Sequence, residues 1–280
     1  MQSYCIKCIV PMERYDMAVG IAGSNETDGF LEEIKGSSAA LSFFFRQELK
    51  AKSVMEQFKD SLSISECSME IVENQDWNAK WRETMEPVEL TGGFWVSPQW
   101  LSPPESRKAW IKIEPKMAFG TGHHETTRLA ARELINSREW LKEKRLLDIG
   151  TGSGVLCFVA QICGSAFSLG LEIDSECREN LAENRELNSV EGGVEFIIGS
   201  LECVKIESLF DTVVMNMLYR ESVPLLRNVT ELLSDSGELI WSGILLEEKD
   251  EIIRLARDFG LKIAAESIEN EWWCGKFKRK

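Results

Sequence analysis

The residues Arg145-Leu146-Leu147-Asp148-Ile149 run without interruption into Gly150-Thr151-Gly152-Ser153-Gly154 and on into the apolar stretch Val155 to Cys163. A strand, a glycine turn and an apolar helix in immediate succession open a βα unit whose backbone lets a bulky ligand approach closely. Before the turn, Arg128 to Trp140 reads as a helix. After it, FSLGLEI, SECRENLAENREL, VEFIIG, DTVVMN, ESVPLLRNVTELL, GELIWSGI, EEKDEIIRLARDF, LKIAAES and EWWCGKFK alternate between strand and helix patterns. Such alternation predicts an α/β, Rossmann-like domain: a mostly parallel seven-stranded sheet with helices on both faces.

A glycine turn in this place is shared with the dinucleotide enzymes, which use GxGxxG. Here the third glycine, Gly154, comes one residue early, and Val155 takes the dinucleotide position. Asp148, just before the turn, is placed to meet the amino end of a cationic ligand. Glu172, at the end of the next strand, is placed to accept both ribose hydroxyls of an adenosine, with Asp174 as the second candidate. Asn216 follows the strand DTVVM. Residues beyond the carboxyl ends of parallel strands line the ligand crevice, so Asn216 is expected beside Gly150, Gly152 and Glu172, with an amide that both donates and accepts. Glycine spacing together with Glu172 points to S-adenosylmethionine rather than a nicotinamide dinucleotide.

The segment Phe119-Gly120-Thr121-Gly122-His123-His124-Glu125-Thr126-Thr127 holds both histidines of the chain. Adjacent histidines with no HxxxH-type partner make a poor zinc set, so no metal is expected. Thr126 or Thr127 is expected to cap the helix that follows. Cys5 and Cys8 form a CxxC pair, but residues three apart on a strand point to opposite faces. The other cysteines are scattered, several within apolar runs, and all eight are read as reduced.

Ahead of this region, SYCIKCIV, a segment through Ala22, LEEIKG, AALSFFFR, QELKAKSVMEQFKDSL and SMEIVE suggest a small α+β unit of βαββαβ, ferredoxin-like layout over residues 1–73. DWNAKWRETMEP reads as an ordered connector over 74–87, with Trp77 and Trp81 four apart on one helical face. The remaining domain spans 88–280, beginning with strand-like ELTGGFWVSPQW and KAWIKI. A chain of 280 residues, 44% hydrophobic, can bury such a core. With 46 acidic against 32 basic residues the net charge is −14, which argues against direct nucleic-acid binding and suits a basic partner. No apolar run approaches the roughly 20 residues of a membrane span, and the first residues lack the order of a secretory signal, so a cytoplasmic monomer is expected.

Taken in order, MAFGTGHHETTR, LLDIGTGSGVL, GLEID, VVMNMLYRE, ELIWSGIL and EWWCGKFK resemble the ribosomal protein L-eleven (hereafter L11) methyltransferases. The resemblance extends to DWNAKWRETMEPVEL and the N-terminal unit, and so covers nearly the whole chain. It implies a class I methyltransferase domain that binds S-adenosyl-L-methionine. It also implies an N-terminal domain that recognises L11, a helical linker, and lysine ε-amines and the N-terminal α-amine as methyl acceptors. Cofactor contacts carry over to Thr127, Gly150, Glu172 and Asn216, with Phe119 near the methionine end. Glu172 stands where the family often has aspartate, which lengthens its reach.

Methyl transfer needs an in-line neutral amine more than a dedicated base. Asn216 is expected to position that amine, and His124 either relays a proton or simply shapes its loop. Three alternatives remain open in the residues: a lysine methyltransferase of another protein, a nicotinamide-dependent oxidoreductase, and a binding module that kept the fold after losing activity.

Overall fold

A computed structural model describes residues 2–62, 67–73, 85–116, 120–188, 193–205 and 209–279. The chain divides into two compact units, 1–85 and 86–280. The expected helical connector, with Trp77 and Trp81, falls almost wholly outside the described residues, as does Phe119.

The first unit runs β1 (Gln2–Pro11), α1 (Tyr15–Ser24), β2 (Gly29–Lys35), β3 (Ser38–Phe45), α2 (Glu48–Leu62) and β4 (Cys67–Glu73). Its sheet order β2-β3-β1-β4, antiparallel throughout, is the ferredoxin-like arrangement. Strict alternation in β3 sends Ala39, Leu41, Phe43 and Phe45 to one face, where Val54 and Phe58 of α2 cover them. Cys8 joins that core with Ile6 and Val10. Cys5, an odd number of residues away, belongs to the opposite face. All eight cysteines are free thiols.

The second unit opens with a three-stranded sheet of β5 (Val88–Thr91), β6 (Phe94–Pro98) and β7 (Ala109–Ile113). Then come α3 (Glu125–Asn136), α4 (Arg138–Leu141), β8 (Arg145–Ile149), α5 (Val155–Ile162), β9 (Phe167–Glu172), α6 (Cys177–Leu187) and β10 (Val194–Ile198). The chain continues through β11 (Phe210–Asn216), α7 (Tyr219–Ser222), α8 (Leu226–Leu232), β12 (Leu233–Leu245), α9 (Lys249–Asp258), β13 (Leu261–Glu269) and β14 (Trp272–Arg279).

Seven of these strands form one sheet in the order β10-β9-β8-β11-β12-β14-β13, with β14 alone running opposite to the other six. The central strands β8 and β11 are buried on both faces over Leu146–Ile149 and Thr212–Met215, and these stretches are mostly apolar, as parallel strands between helical layers are. At the margin, β13 alternates half-buried and exposed residues after a buried Leu261, the pattern of an edge strand with one wet face. Two cores flank the sheet: Leu134 and Phe158 on one side, Trp241, Trp273 and Phe277 on the other.

Two helices differ from the sequence expectation. The first starts at Glu125, three residues early, because His124 rather than a threonine caps it: Nδ1 accepts from the Thr126 N–H at 3.3 Å. That places Thr126 and Thr127 inside the first turn. The expected single helix ESVPLLRNVTELL breaks into α7, a 3-10 turn containing Pro224, and α8.

Candidate active site

Strand register builds the site. Leu171, Ile149 and Met215 lie in one row across β9, β8 and β11. The next residue on each strand is therefore at one level beyond the sheet: Glu172, Gly150 and Asn216. The chain reverses its direction of progress between β8 and β11, so this edge is also the topological switch point where open α/β sheets bind ligands.

The turn between β8 and α5 has its three glycines at φ +71°, +55° and +82°, a region that side chains disfavour. A Cβ on Gly154 would fall 2.6 Å from Phe196 Cζ, so close packing against β10 requires this glycine as well as its φ. The early third glycine thus serves the packing of turn on sheet. Gly150 and Thr151 N–H both donate to the Leu171 carbonyl at 2.9 Å. Gly152 N–H donates to Glu172 Oε2 at 2.9 Å, while Asp174 N–H donates to Oε1 at 3.1 Å. Each carboxylate oxygen keeps a free lone pair, because an oxygen accepts more than one bond.

Asp148 takes a different position from the one its sequence suggests. It is wholly buried beneath the turn, does not line the cavity above, and accepts from Thr151 Oγ1 at 2.6 Å. Burial pushes its pKa up to about 7, against the lowering influence of that hydrogen bond. It braces the turn from below.

Gly150, Gly152, Glu172, Asp174 and Asn216 all line a cavity of about 580 Å³ whose apolar walls include Ile149, Leu171 and Leu225. A second cavity of about 270 Å³, lined by His124, Thr126, Leu218, Gly243 and Trp272, shares Asn216, Met217 and Glu221 with the first. At this junction Asn216 Nδ2 donates to Thr127 Oγ1 at 3.4 Å, and its buried Oδ1 has no partner. Thr127 is itself fully buried and holds Asn216 from behind. Trp272, Met217 and Glu221 were not singled out in the sequence; only long-range pairing brings the first residue of β14 to this place.

The loop leading into α3 is held on several sides. Ser153 Oγ donates to the Gly120 carbonyl at 2.8 Å, and Arg128 donates to the carbonyl of His123. His124 stands edge-on to Trp272 with ring centroids 5.0 Å apart. Arg128 and Arg132 both pair with Glu269 near the β13–β14 turn. Among the described residues no group of three or more His, Cys, Asp or Glu is arranged to hold a metal ion.

A seven-stranded sheet with one antiparallel strand and a glycine-turn cavity at its switch point define a class I, S-adenosylmethionine-dependent methyltransferase. Comparison with known proteins narrows the class. The profile of the family described as ribosomal protein L11 methyltransferase (PrmA) matches residues 17–280, and the chain belongs to that family. Among curated relatives, the ribosomal protein L11 methyltransferase of Teredinibacter turnerae is 31% identical, the match covering 77% of this chain and 71% of the relative. That of Clostridium botulinum is also 31% identical, over 80% of this chain and 71% of the relative. A crystal structure of a ribosomal protein L11 methylase from Lactobacillus delbrueckii subsp. bulgaricus superposes with a TM-score of 0.63 at 26% identity, covering 70% of this chain and all of that one.

The residues present fit the family's cofactor. Glu172 offers lone pairs at the rim, the turn keeps side chains out of the cavity floor, and the orphaned Asn216 Oδ1 is an acceptor waiting for an N–H.

Proposed function

We propose that this chain transfers methyl groups from S-adenosylmethionine to amines of ribosomal protein L11, namely lysine ε-amines and the N-terminal α-amine. The family and the names of its relatives support the protein substrate. One observation carries the chemistry: Asn216, which lines both cavities, has a buried Oδ1 with no hydrogen-bond partner. The larger cavity takes the cofactor and the smaller one the acceptor side chain.

S-adenosylmethionine supplies an electrophilic methyl group on a sulfonium. Around it, Glu172 accepts from the ribose hydroxyls, Gly150 and Gly152 clear space for the ligand, and Asp174 stands at the rim. Asp148 acts through the turn it braces.

For the acceptor, the residues must orient a neutral amine and exclude water. A lysine with the ordinary pKa of about 10.4 costs roughly 5 kcal/mol to neutralise at pH 7. The apolar walls formed by Met217, Leu218 and Trp272 disfavour the charged form and lower that cost. Asn216 Oδ1 accepts one amine N–H and fixes its direction, while Thr127 fixes Asn216. With Nδ1 engaged by Thr126 and its ring against Trp272, His124 serves as cap and cavity wall. The N-terminal unit, 1–73, acts as the recognition domain for L11, the residues 74–87 as linker, and 88–280 as the catalytic domain. No helix among the described residues is long and apolar enough to cross a membrane, and a ribosomal substrate fits a cytoplasmic site of action.

The test is Asn216→Ala in the full chain with L11 as substrate. Turnover is expected to fall on the order of 100-fold, the scale of a positioning contact, with S-adenosylmethionine still bound. Undiminished turnover would remove Asn216 from the mechanism.

A further inference from the structure

Among the described residues, Glu221 is the one acidic side chain lining the smaller cavity, and it lines the larger one too. It lies in α7, five residues after Asn216 at the end of β11, and is exposed to solvent. Its carboxylate has no hydrogen-bond or ion-pair partner among the described residues. Other acids around the site are engaged: Glu269 by Arg128 and Arg132, Glu172 by Gly152 and Asp174, and Glu125 by Asn270. An uncompensated negative charge at the mouth of a cavity otherwise walled by Met217, Leu218 and Trp272 attracts a cation carried on an apolar stem. A lysine side chain has that form.

We propose that Glu221 is a positioning residue for the acceptor amine, an inference that rests on the amine methyltransferase reading above. The carboxylate draws the ammonium group into the smaller cavity. One proton then leaves to solvent, giving a neutral amine with two N–H bonds and one lone pair. Glu221 accepts one N–H and Asn216 Oδ1 the other, so the lone pair is turned away from both acceptors. Glu221 has an opposing effect as well: a carboxylate beside the amine favours its charged form and raises its pKa. The residue therefore trades ease of deprotonation for capture and orientation.

The experiment uses the full chain, purified L11 and S-adenosylmethionine, and compares Glu221→Gln, Glu221→Ala and Glu221→Asp with the wild type. Thermal unfolding and cofactor affinity are measured for each. His124, Glu172, Asp174 and Cys177, the other titratable groups lining the two cavities, stay unchanged in every variant. For Glu221→Gln, kcat/KM for L11 is expected to fall on the order of tenfold. The rising limb of its kcat–pH profile should move to lower pH by about one unit, because the amine loses the neighbour that held its proton. Glu221→Ala should fall further, and Glu221→Asp should recover part of the loss. Unchanged kcat/KM with an unmoved limb in folded Glu221→Gln would overturn the proposal. So would a loss of cofactor affinity with an unmoved limb, which would assign Glu221 to the larger cavity alone. If the wild type transfers no methyl group to L11, the reading of function itself fails, and the role of Glu221 with it.

Discussion

Gly152 donates its backbone N–H to Glu172 Oε2 at 2.9 Å, so the crest of the glycine turn and the end of β9 hold one another. The glutamate is a strut for the turn, and the proposed function makes it a cofactor contact as well. Removing it by Glu172→Ala should weaken S-adenosylmethionine binding by roughly tenfold to a hundredfold, the worth of a hydrogen bond to a charged group. Glu172→Asp keeps the charge but shortens the reach to Gly152, and should lie between the two. Isothermal titration calorimetry measures all three; full affinity in Glu172→Ala would exclude the carboxylate from the cofactor site.

Gly154 meets two demands at once, a φ of +82° and a Phe196 ring 2.6 Å from where a Cβ would be. Gly154→Ala should therefore destabilise the chain by about 2–4 kcal/mol, the sum of left-handed strain and overpacking. Urea unfolding gives the value. The double variant Gly154→Ala, Phe196→Leu should regain part of it, since a smaller side chain relieves the clash and leaves the strain. A double variant no better than the single one would show that backbone strain alone accounts for the loss.

Asp148 makes folding depend on pH in a direction opposite to that of most carboxylates. Burial raises its pKa from 3.8 to about 7, so the folded state holds this proton more tightly than the unfolded chain does. The stability linked to that proton is complete below the lower value and is lost as pH rises through the upper one. Asp148→Asn has no such proton. The stability difference, wild type minus variant, should decrease from pH 4 to pH 8 in urea titrations at a series of pH values. A difference that is flat or rises would mean the folded carboxyl titrates in the ordinary range.

Much of this was legible in the sequence because it is local. A strand, a turn and a helix are adjacent in the chain, so Gly150 to Gly154 declared the βα unit, and strand-end positions placed Glu172 and Asn216 on the same edge. The βαββαβ unit was readable for the same reason: β3 alternates with period two and α2 is amphipathic. What escaped depends on pairing between distant segments. Nothing local tells β14 to insert between β12 and β13, and that insertion brings Trp272 to His124. Nor does sequence order show that α7 turns Glu221 back towards both cavities. Asp148 was expected to meet the ligand, but its buried carboxylate accepts instead from Thr151 in the turn and Cys157 in α5, partners that strand-end position alone does not reveal. His124 displaced the threonines as helix cap because the loop before it is pinned to Ser153 and Arg128.

Methylation of L11 amines by this chain can be observed directly. The direct measurement is to incubate the full chain with methyl-labelled S-adenosylmethionine and the ribosomal proteins of its own source, then to locate the label by tandem mass spectrometry. Label is expected on L11, at lysine ε-amines or the N-terminal α-amine, and greatly reduced with Asn216→Ala. Label on a different protein alone, with L11 present and unmodified, would contradict it.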